Sequence, residues 1–385
     1  MSRSRPERLE RLPEQYFARL LARVSAAFAD EGEPLVDLGR GNPDVSPPPH
    51  VVERLVAVAR EPTSLVHGYA PFLGLPALKE AISERYRAVY GVELDPEREV
   101  AVVPGTKTAL VEVALCVADH GDSILLPDPG YPDYRSAVAL AGARELSLPL
   151  DPSAGWAPDF RSAPGDGVAL VYLNYPSNPC AVCAPDGVFE AAVAHAAETG
   201  AAVLHDFAYA DLVFDGRRPH SFLATEGAKE VGVELFSMSK SYGMAGWRLG
   251  FVLGNAETVA RVNLLQDHVR AGIFTAVQEA GIAALRGPQD TVEARRELYE
   301  TRRNRVLEAL RETRVGEVRC EGTFFVWFRL PDGVTADAVL AEHRVALAPG
   351  EGFGSHGAGW ARISLATPDE RLDLGLERIA RALAP

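Results

Sequence analysis

The segment Ser237-Met238-Ser239-Lys240-Ser241-Tyr242-Gly243-Met244-Ala245-Gly246-Trp247-Arg248-Leu249-Gly250 connects two apolar runs that read as strands, and it sets a lysine directly after the first of them. Desolvation in a pocket lowers the pKa of a lysine, so more of its amine is neutral and can attack an aldehyde to form a Schiff base. Serine hydroxyls and the planar fork of Arg248 suit the oxygens of a dianionic phosphate. Taken alone, the segment is equally consistent with a surface Ser/Lys loop beside a structural arginine.

The composition predicts a globular chain without a nucleic-acid partner. With 385 residues, 47% of them hydrophobic, the chain can bury one large core or divide into a large and a small domain. The net charge is −14, and no run of Lys or Arg offsets it. No apolar run reaches the about 18 residues of a membrane span, and the charged segment 1–10 lacks the core of a signal peptide. We therefore expect no membrane contact and a cytoplasmic location.

Four cysteines fit a reducing compartment. Cys180 and Cys183 form a C-x-x-C motif, but a tetrahedral zinc site needs a second ligand pair, and Cys116 and Cys320 are isolated in the sequence. The histidines show no metal-binding spacing such as H-E-x-x-H. We expect no metal, and a redox role for the C-x-x-C pair stays open.

Between residues 100 and 255, short β-branched runs alternate with longer helical patterns, which is typical of parallel βαβ units. The predicted strands are 100–103, 123–126, 168–173, 201–204, 233–236 and 249–253. Ligands of such sheets gather beyond the carboxyl ends of the strands, so the polar ends of the first five should converge on one edge. These ends are Gly105-Thr106-Lys107, Asp128-Pro129-Gly130-Tyr131, Asn174-Tyr175-Pro176-Ser177-Asn178, His205-Asp206-Phe207-Ala208-Tyr209 and Ser237-Met238-Ser239-Lys240.

Outside this region the pattern predicts a second, smaller lobe. A helix over 259–271 leads out of the large domain, and a long amphipathic helix over 291–311 joins the two lobes. The small lobe has strands over 322–328 and 361–365 and a closing helix over 369–383, and we expect an amino-terminal helix over 13–29 to pack on it. The fold class is therefore α/β, with a mainly parallel sheet between helices and a smaller α+β domain built from both termini. We expect an amino-terminal arm and part of the small domain in 1–45, a large cofactor-binding domain in 46–275 and a small carboxyl-terminal domain in 276–385.

The five strand ends offer a residue for each chemical demand of pyridoxal 5′-phosphate (PLP). A buried carboxylate, here Asp206, keeps the pyridine nitrogen protonated, and Asn178 and Tyr209 can donate hydrogen bonds to the phenolate oxygen. Tyr131 can stack on the ring. The turn at Thr106 and Lys107 opens a helix predicted over 108–118, whose N–H groups and dipole can receive the phosphate.

Each of these residues also has an ordinary interpretation. Asp206 alone reads as a helix cap or turn, Asn178 as an Asn-Pro turn and Tyr131 as part of a Pro/Gly turn. Many helices start like the one after Gly105. His205, next to Asp206, we interpret as structural. The combination, and no single member of it, points to PLP.

The chain resembles the class I and II aminotransferases of PLP fold type I over nearly its whole length. The motifs that carry the resemblance stand in the family's order and approximate spacing. The resemblance implies that Lys240 binds the PLP aldehyde and later moves a proton between the substrate α-carbon and the C4′ carbon of the cofactor. It also implies that Arg362 clamps the substrate α-carboxylate, although by itself Arg362 reads as a strand-edge salt bridge. The motifs are Asn178-Pro179, Asp206-x-x-Tyr209, Ser237-x-Ser239-Lys240, Arg248-x-Gly250 and Ala361-Arg362-Ile363-Ser364.

Two further segments extend the resemblance. Gly39-Arg40-Gly41-Asn42-Pro43-Asp44 resembles the family's segment beside the substrate carboxylate, with Gly41 allowing close backbone approach. His67-Gly68-Tyr69 resembles the segment whose tyrosine reaches the phosphate in the neighbouring subunit's site, which implies a homodimer with two shared active sites. The family usually continues Asn-Pro with Thr-Gly where this chain has Cys180-Ala181, so we expect a turn of different shape there.

Arg40 and Arg270 are further cations that could face the distal group of a substrate. We interpret both as solvent-exposed or ion-paired and leave them out of the candidate site.

The leading hypothesis is an aminotransferase: an amino acid leaves as a 2-oxo acid, and a second oxo acid collects the amine in a ping-pong cycle. The resemblance is sharpest to the subgroup of diaminopimelate, alanine and glutamine/methionine-oxo-acid aminotransferases. The alternative is a PLP-dependent lyase, cyclase or oxidase acting on an amino acid such as arginine, because such enzymes share the cofactor motifs. A regulator with an aminotransferase-like sensor domain would carry a DNA-binding module ahead of Gly39, and we expect none. Donor, acceptor and pathway stay open.

Overall fold

The computed structural model describes residues 5–29 and 34–384 of the chain. Its strands are β1 (Val36–Asp37), β2 (Val100–Val103), β3 (Ser123–Asp128), β4 (Arg144–Asp151), β5 (Ala157–Pro158), β6 (Val168–Leu173), β7 (Ala202–Phe207), β8 (Gly232–Ser237), β9 (Gly250–Gly254), β10 (Val318–Arg319), β11 (Phe325–Arg329), β12 (Val345–Ala346), β13 (Ala348–Pro349) and β14 (Trp360–Ser364). Its helices are α1 (Glu7–Glu10), α2 (Tyr16–Ala29), α3 (Pro49–Ala59), α4 (Ser64–His67), α5 (Pro76–Tyr90), α6 (Thr106–Val117), α7 (Tyr134–Ala141), α8 (Val188–Thr199), α9 (Ala228–Val231), α10 (Met238–Ser241), α11 (Ala256–Val269), α12 (Thr275–Arg286), α13 (Asp290–Arg311), α14 (Ala336–His343) and α15 (Asp369–Ala382).

The large sheet has the strand order β2-β9-β8-β7-β6-β3-β4-β5. Its central strands β8, β7, β6, β3 and β4 run parallel to their neighbours, while β9 is antiparallel to β2 and β8, and β5 is antiparallel to β4. Successive residues of β2 belong to two different core clusters: Val100 and Val102 pack on one face of the sheet, Ala101 and Val103 on the other. Helices therefore cover both faces, and this is why the strands read as continuous apolar runs.

The predicted strands of this sheet are all present, with shifted ends. Strand β3 continues to Asp128 and β7 to Phe207, so Asp128 and Asp206 are the last or next-to-last residues of their strands and not part of the following loops. Helix α6 begins at Thr106 and not at residue 108, because Gly105 adopts a φ of 86° and turns the chain directly into the helix. Strand β4 was not predicted, since it lies near the sheet edge and its exposed polar residues break the apolar run.

A smaller sheet of order β10-β11-β14-β13 is antiparallel and lies in the carboxyl-terminal part of the chain. The predicted strand over 322–328 begins only at Phe325, because Thr323 turns the chain with a φ of 68°. Strand β1 pairs in parallel with β12, and the Tyr16 hydroxyl on α2 donates to the Pro349 carbonyl at 2.9 Å. The amino-terminal segment therefore joins the carboxyl-terminal part of the chain. None of the helices described here is both long and apolar enough to cross a bilayer.

The turn after Asn178 departs from the family pattern in residue type. Ala181 adopts a left-handed φ of 57°, a conformation that favours glycine and costs an alanine roughly 1 kcal/mol. The turn is closed by the Ala181 N–H, which donates to the Ser177 carbonyl at 2.9 Å. The Ala181 carbonyl in turn accepts from the N–H of Glu321 at 2.7 Å. Hydrogen bonds on both sides thus hold this alanine in its left-handed conformation.

Candidate active site

A cavity of about 480 Å³ opens where the parallel strands of the large sheet end. The five predicted strand ends meet there, as the topology of parallel strands requires. Strand β14 and the segment 40–42 close the opposite side. Every candidate residue except Tyr69 lines this cavity: Gly41, Thr106, Lys107, Tyr131, Asn178, Asp206, Tyr209, Ser237, Ser239, Lys240, Arg248 and Arg362.

Lys240 lies on α10, the short helix that follows β8 without a loop. The Ser237 hydroxyl caps this helix by accepting the Ser239 N–H at 3.2 Å, and the Lys240 Nζ lies 5.1 Å from the centroid of the Phe324 ring. Burial lowers the pKa of Lys240 to about 8, with further lowering by the nearby arginines Arg248 and Arg362. A much larger fraction of this amine is therefore neutral, and hence nucleophilic, near pH 7 than for an exposed lysine.

Asp206 is a buried carboxyl with one oxygen left free. Its Oδ2 accepts a hydrogen bond from the Tyr134 hydroxyl at 3.0 Å, whereas its Oδ1 has no partner among the described residues. The Asn174 side chain holds the backbone here by donating to the Asp206 carbonyl at 2.7 Å. Burial raises the pKa of Asp206, and the Tyr134 hydrogen bond acts in the opposite direction. A buried, unpartnered carboxyl oxygen at a cavity wall calls for a hydrogen-bond donor from a bound molecule.

His205 points to the opposite face of the sheet from Asp206, since neighbouring strand residues alternate. It is fully buried, with Nδ1 2.7 Å from Glu234 Oε2 and Nε2 2.9 Å from the Tyr175 carbonyl. Its contacts are structural, as expected from the sequence.

Donors for an anion cluster at the start of α6. Gly105 caps the helix, and a Cβ at this position would overlap the Arg248 guanidinium, so glycine lets Arg248 lie against the helix start. Arg248 itself has a left-handed φ of 57°, and its Nη1 donates to the Ala245 carbonyl at 2.8 Å. The Lys107 side chain is ion-paired with Asp133 at 2.8 Å. Backbone N–H groups at the helix start, Arg248 and two serines thus face one corner of the cavity.

Arg362 is fully buried on β14 and has no carboxylate partner among the described residues. Its Nη1 donates to Asn178 Oδ1 at 2.6 Å and its Nη2 to the Gly39 carbonyl at 3.1 Å, while Nε has no partner. The guanidinium carbon lies 3.7 Å from the centroid of the Phe325 ring and 4.7 Å from that of Phe353. Burial lowers the pKa of Arg362 to about 10. The interpretation of Arg362 as a strand-edge salt bridge is therefore wrong. Its buried positive charge has no counter-ion among the described residues, so the site is suited to binding an anion.

The segment around Gly41 passes directly over the aromatic floor of the cavity. A Cβ on Gly41 would lie 2.6 Å from the Phe325 ring and 3.6 Å from Arg362 Nη2, so a side chain there would displace one of them. Arg40 is exposed, as expected, but it also lines the cavity. Arg270 does not line it: its Nε lies 4.0 Å from Glu112, and its Nη2 donates to the Val102 carbonyl at 3.0 Å.

Several residues of the site carry no functional signal in the sequence. Tyr134 does not line the cavity but donates a hydrogen bond to Asp206, and this contact exists only in the folded sheet. Phe17 and Phe325 read as ordinary apolar residues of a helix and a strand. Asn174 stood in one of the converging strand ends, and its position there was the signal that could have found it.

Tyr69 lies outside the cavity, and 89% of its surface is exposed.

The four cysteines are all free thiols. Cys180 is buried, and burial also raises the pKa of Cys183 to about 12, so both thiols of the C-x-x-C motif stay protonated at neutral pH. No cluster of three or more His, Cys, Asp or Glu side chains suited to a metal ion occurs in the ranges 5–29 and 34–384.

Comparisons with known proteins agree with this geometry. The family model for aminotransferases of class I and II matches residues 33–379. The L-glutamine–4-(methylsulfanyl)-2-oxobutanoate aminotransferase of Bacillus subtilis is 43% identical over 97% of this chain and 95% of its own length. An LL-diaminopimelate aminotransferase of Moorella thermoacetica is 38% identical over 98% of this chain and 97% of its own.

Solved structures lead to the same family. The substrate-bound structure of BacF from Bacillus subtilis superimposes with a TM-score of 0.92 and 37% identity, covering 100% of this chain and 99% of that one. The α/β fold with a mostly parallel large sheet and a separate antiparallel sheet is thereby confirmed as PLP fold type I. Enzymes of this kind use PLP and move an amino group between an amino acid and a 2-oxo acid. With the family model covering most of its length, this chain belongs to the class I and II aminotransferases.

Proposed function

We propose that Lys240 is the catalytic base of this aminotransferase, with PLP held by the five strand ends and the substrate α-carboxylate held by Arg362. When bound, PLP supplies an aldehyde that accepts the amino nitrogen and a ring that draws electrons from the substrate α-carbon. One observation carries the proposal. A half-buried amine of lowered pKa, a buried carboxyl oxygen without a partner among the described residues and a buried guanidinium without a counter-ion there line the same cavity.

The donor set fits PLP at its ring end. The free Oδ1 of Asp206 would hold a proton at the ring nitrogen. Since Asn178 Oδ1 accepts from Arg362, its amide nitrogen is left to donate to the phenolate oxygen, together with the Tyr209 hydroxyl. The Tyr131 ring would stack on the cofactor face.

The donor set also fits at the phosphate end. The N–H groups of Thr106 and Lys107 lie in the first turn of α6, where the helix dipole favours an anion. Ser237, Ser239 and Arg248 would complete the phosphate site.

On the substrate side, Arg362 would bind the α-carboxylate with its guanidinium fork, and Gly41 would leave room for that carboxylate. The Phe325 ring stacks on the guanidinium and excludes water from it, which strengthens the ion pair. Lys240 would then take the proton from the substrate α-carbon. Its lowered pKa leaves a useful fraction of the amine unprotonated near pH 7.

The test is a panel of amino acids, including glutamine, offered to the holoenzyme with and without a 2-oxo acid acceptor. We expect 2-oxo acid formation that becomes catalytic only with the acceptor. Lys240→Ala should abolish turnover, and the control Lys229→Ala, outside the cavity, should not. Turnover unchanged in Lys240→Ala would refute the assignment. Sustained ammonia release or oxygen uptake without an acceptor would instead favour a lyase or oxidase.

We further propose that a second copy of the chain covers an exposed apolar surface. Segments 64–75 and 264–274 form this surface: the Thr275 hydroxyl donates to the Leu65 carbonyl at 3.4 Å, and the His67 and Phe274 rings lie 6.0 Å apart. Its large exposed side chains are Leu65, Tyr69, Phe72, Leu73, Leu264, Val269 and Phe274. So many exposed apolar side chains are unusual for a monomer and support a homodimer.

The expected role of Tyr69 in the partner's site supports the same arrangement. Sedimentation should give a dimer, and Val269→Asp should weaken it. Mixed dimers of Tyr69→Ala and Lys240→Ala chains should regain activity, because one of the two sites would then contain both residues. A monomeric active enzyme would refute the dimer.

The division into residues 1–45, 46–275 and 276–385 stays a proposal. The pairing of β1 with β12 supports assigning the amino-terminal arm to the small domain. Helix α12 begins at the second boundary but packs against α3 and α5 of the proposed large domain, which favours a boundary after α12. The free thiols support a cytoplasmic location. Cell fractionation would test it.

A further inference from the structure

Arg40 is a cavity cation for which the proposed mechanism has no task. It lines the cavity, yet its side chain makes no ion pair or hydrogen bond to the described residues. Two other basic residues near the site, Lys107 and Arg270, differ in this respect. Lys107 is paired with Asp133 at 2.8 Å, and Arg270 lies 4.0 Å from Glu112.

The backbone holds Arg40 beside the carboxylate clamp. Gly39 accepts a hydrogen bond from Arg362, and a Cβ on Gly41 would lie 3.6 Å from the same guanidinium, so the residues on both sides of Arg40 lie next to Arg362. Asp37 Oδ1 fixes the turn by accepting the N–H groups of Gly39 at 2.9 Å and Arg40 at 3.3 Å. Since its two neighbours are glycines, Arg40 carries the only side chain of residues 39–41.

One cation of the cavity, Arg40, has no anionic partner in the proposed arrangement. In the proposed arrangement Arg248 and the start of α6 serve the phosphate, and Arg362 serves the α-carboxylate. Arg40 then faces the remaining space, which Phe17 and Phe325 line with apolar surface suited to methylene groups. An apolar stretch that ends at a cation suits a side chain that carries its own carboxylate.

We infer that Arg40 binds the distal carboxylate of an acidic amino acid, or of the matching 2-oxo diacid, in one of the two half-reactions. This inference rests on the proposed function. Arg40 is exposed, so an uncharged substrate leaves its guanidinium in water at little cost. The same cavity can therefore accept a neutral amino acid in the other half-reaction.

The test compares glutamate with methionine, a neutral side chain of similar length, in single-turnover half-reactions of the holoenzyme. For Arg40→Gln we expect kcat/KM for glutamate to fall by about 10-fold to 100-fold, the range for losing a hydrogen bond to a charged group. The value for methionine should stay within about threefold. Arg40→Lys should keep most of the preference for glutamate. Arg161→Gln, which removes the same charge from a side chain that is 93% exposed, should change neither value.

A binding measurement gives a second readout without turnover. Glutarate and pentanoate have equal chain length but differ in the second carboxylate, and Arg40→Gln should weaken binding of glutarate alone. An unchanged ratio of glutamate to methionine, or an equal loss for both, would overturn the inference. Amino-acid turnover that survives in every variant would leave the proposed function intact, whereas a wild type that turns over no amino acid of the panel would refute that function.

Discussion

Replacing Lys240 by methionine should stabilise the apoenzyme, although it destroys the catalyst. Methionine fills a similar volume without a charge. The folded protein lowers the pKa of Lys240 from 10.5 to about 8, mainly because burial disfavours the ammonium form. At pH 7 this lowering of the pKa reduces the free energy of unfolding by roughly 3 kcal/mol. The methionine variant carries no such penalty.

The sign of the pH dependence follows from proton binding. Between pH 8 and 10.5 the folded state binds fewer protons at Lys240 than the unfolded state, so the stability of the wild type rises with pH across this window. The advantage of Lys240→Met should therefore be full at pH 7 and vanish near pH 10.5. Urea unfolding of both apoenzymes at several pH values measures it.

Lys107→Met is the matched control, since that lysine side chain is 57% exposed and ion-paired with Asp133. It should give no gain in stability at pH 7. The reasoning fails if Lys240→Met is no more stable than the wild type at pH 7, or if its advantage does not change with pH. A constant advantage would mean that methionine packs better and that the ammonium carries no penalty.

Three further variants probe residues that line the cavity or contact its lining. Asp206→Asn should keep the fold but lower kcat by roughly 100-fold, because an amide cannot hold a proton at the ring nitrogen; steady-state kinetics with saturating PLP measures it. Tyr134→Phe removes the donor to Asp206 and should weaken PLP binding by about tenfold, as measured by cofactor titration of the apoenzyme. Gly41→Ala places a Cβ 2.6 Å from the Phe325 ring and should lower the free energy of unfolding by about 1–3 kcal/mol and raise KM for the amino acid.

The strand ends were predictable because parallel strands covered on both faces must be apolar along their length. Polar residues such as Asn178 and Asp206 then stand out where each run stops. Their roles in binding stay predictions. Strand β4 was missed because it lies near the sheet edge and mixes polar and apolar residues. The first residues of α6 were missed because the sequence does not show that the helix begins directly after Gly105.

The environment of each cavity residue depended on contacts between distant parts of the chain. Tyr134 and Asp206 are 72 positions apart, and Asn178 and Arg362 are 184 apart, so no local pattern links them. Sequence motifs likewise could not show that Arg362 lacks an acidic partner or that Arg40 borders the cavity. Both depend on which residues lie close together in the folded chain.

Residue type and spacing by themselves determined the fold class and the cofactor, since these follow from periodic apolar runs and from the chemistry of side chains at strand ends. Tertiary structure alone decided which charges go unpaired, which oxygen of Asp206 is free and how far the pKa of Lys240 falls. The physical reason is that desolvation and charge pairing depend on what the folded chain brings within a few ångströms, whichever residues adjoin a group in the sequence.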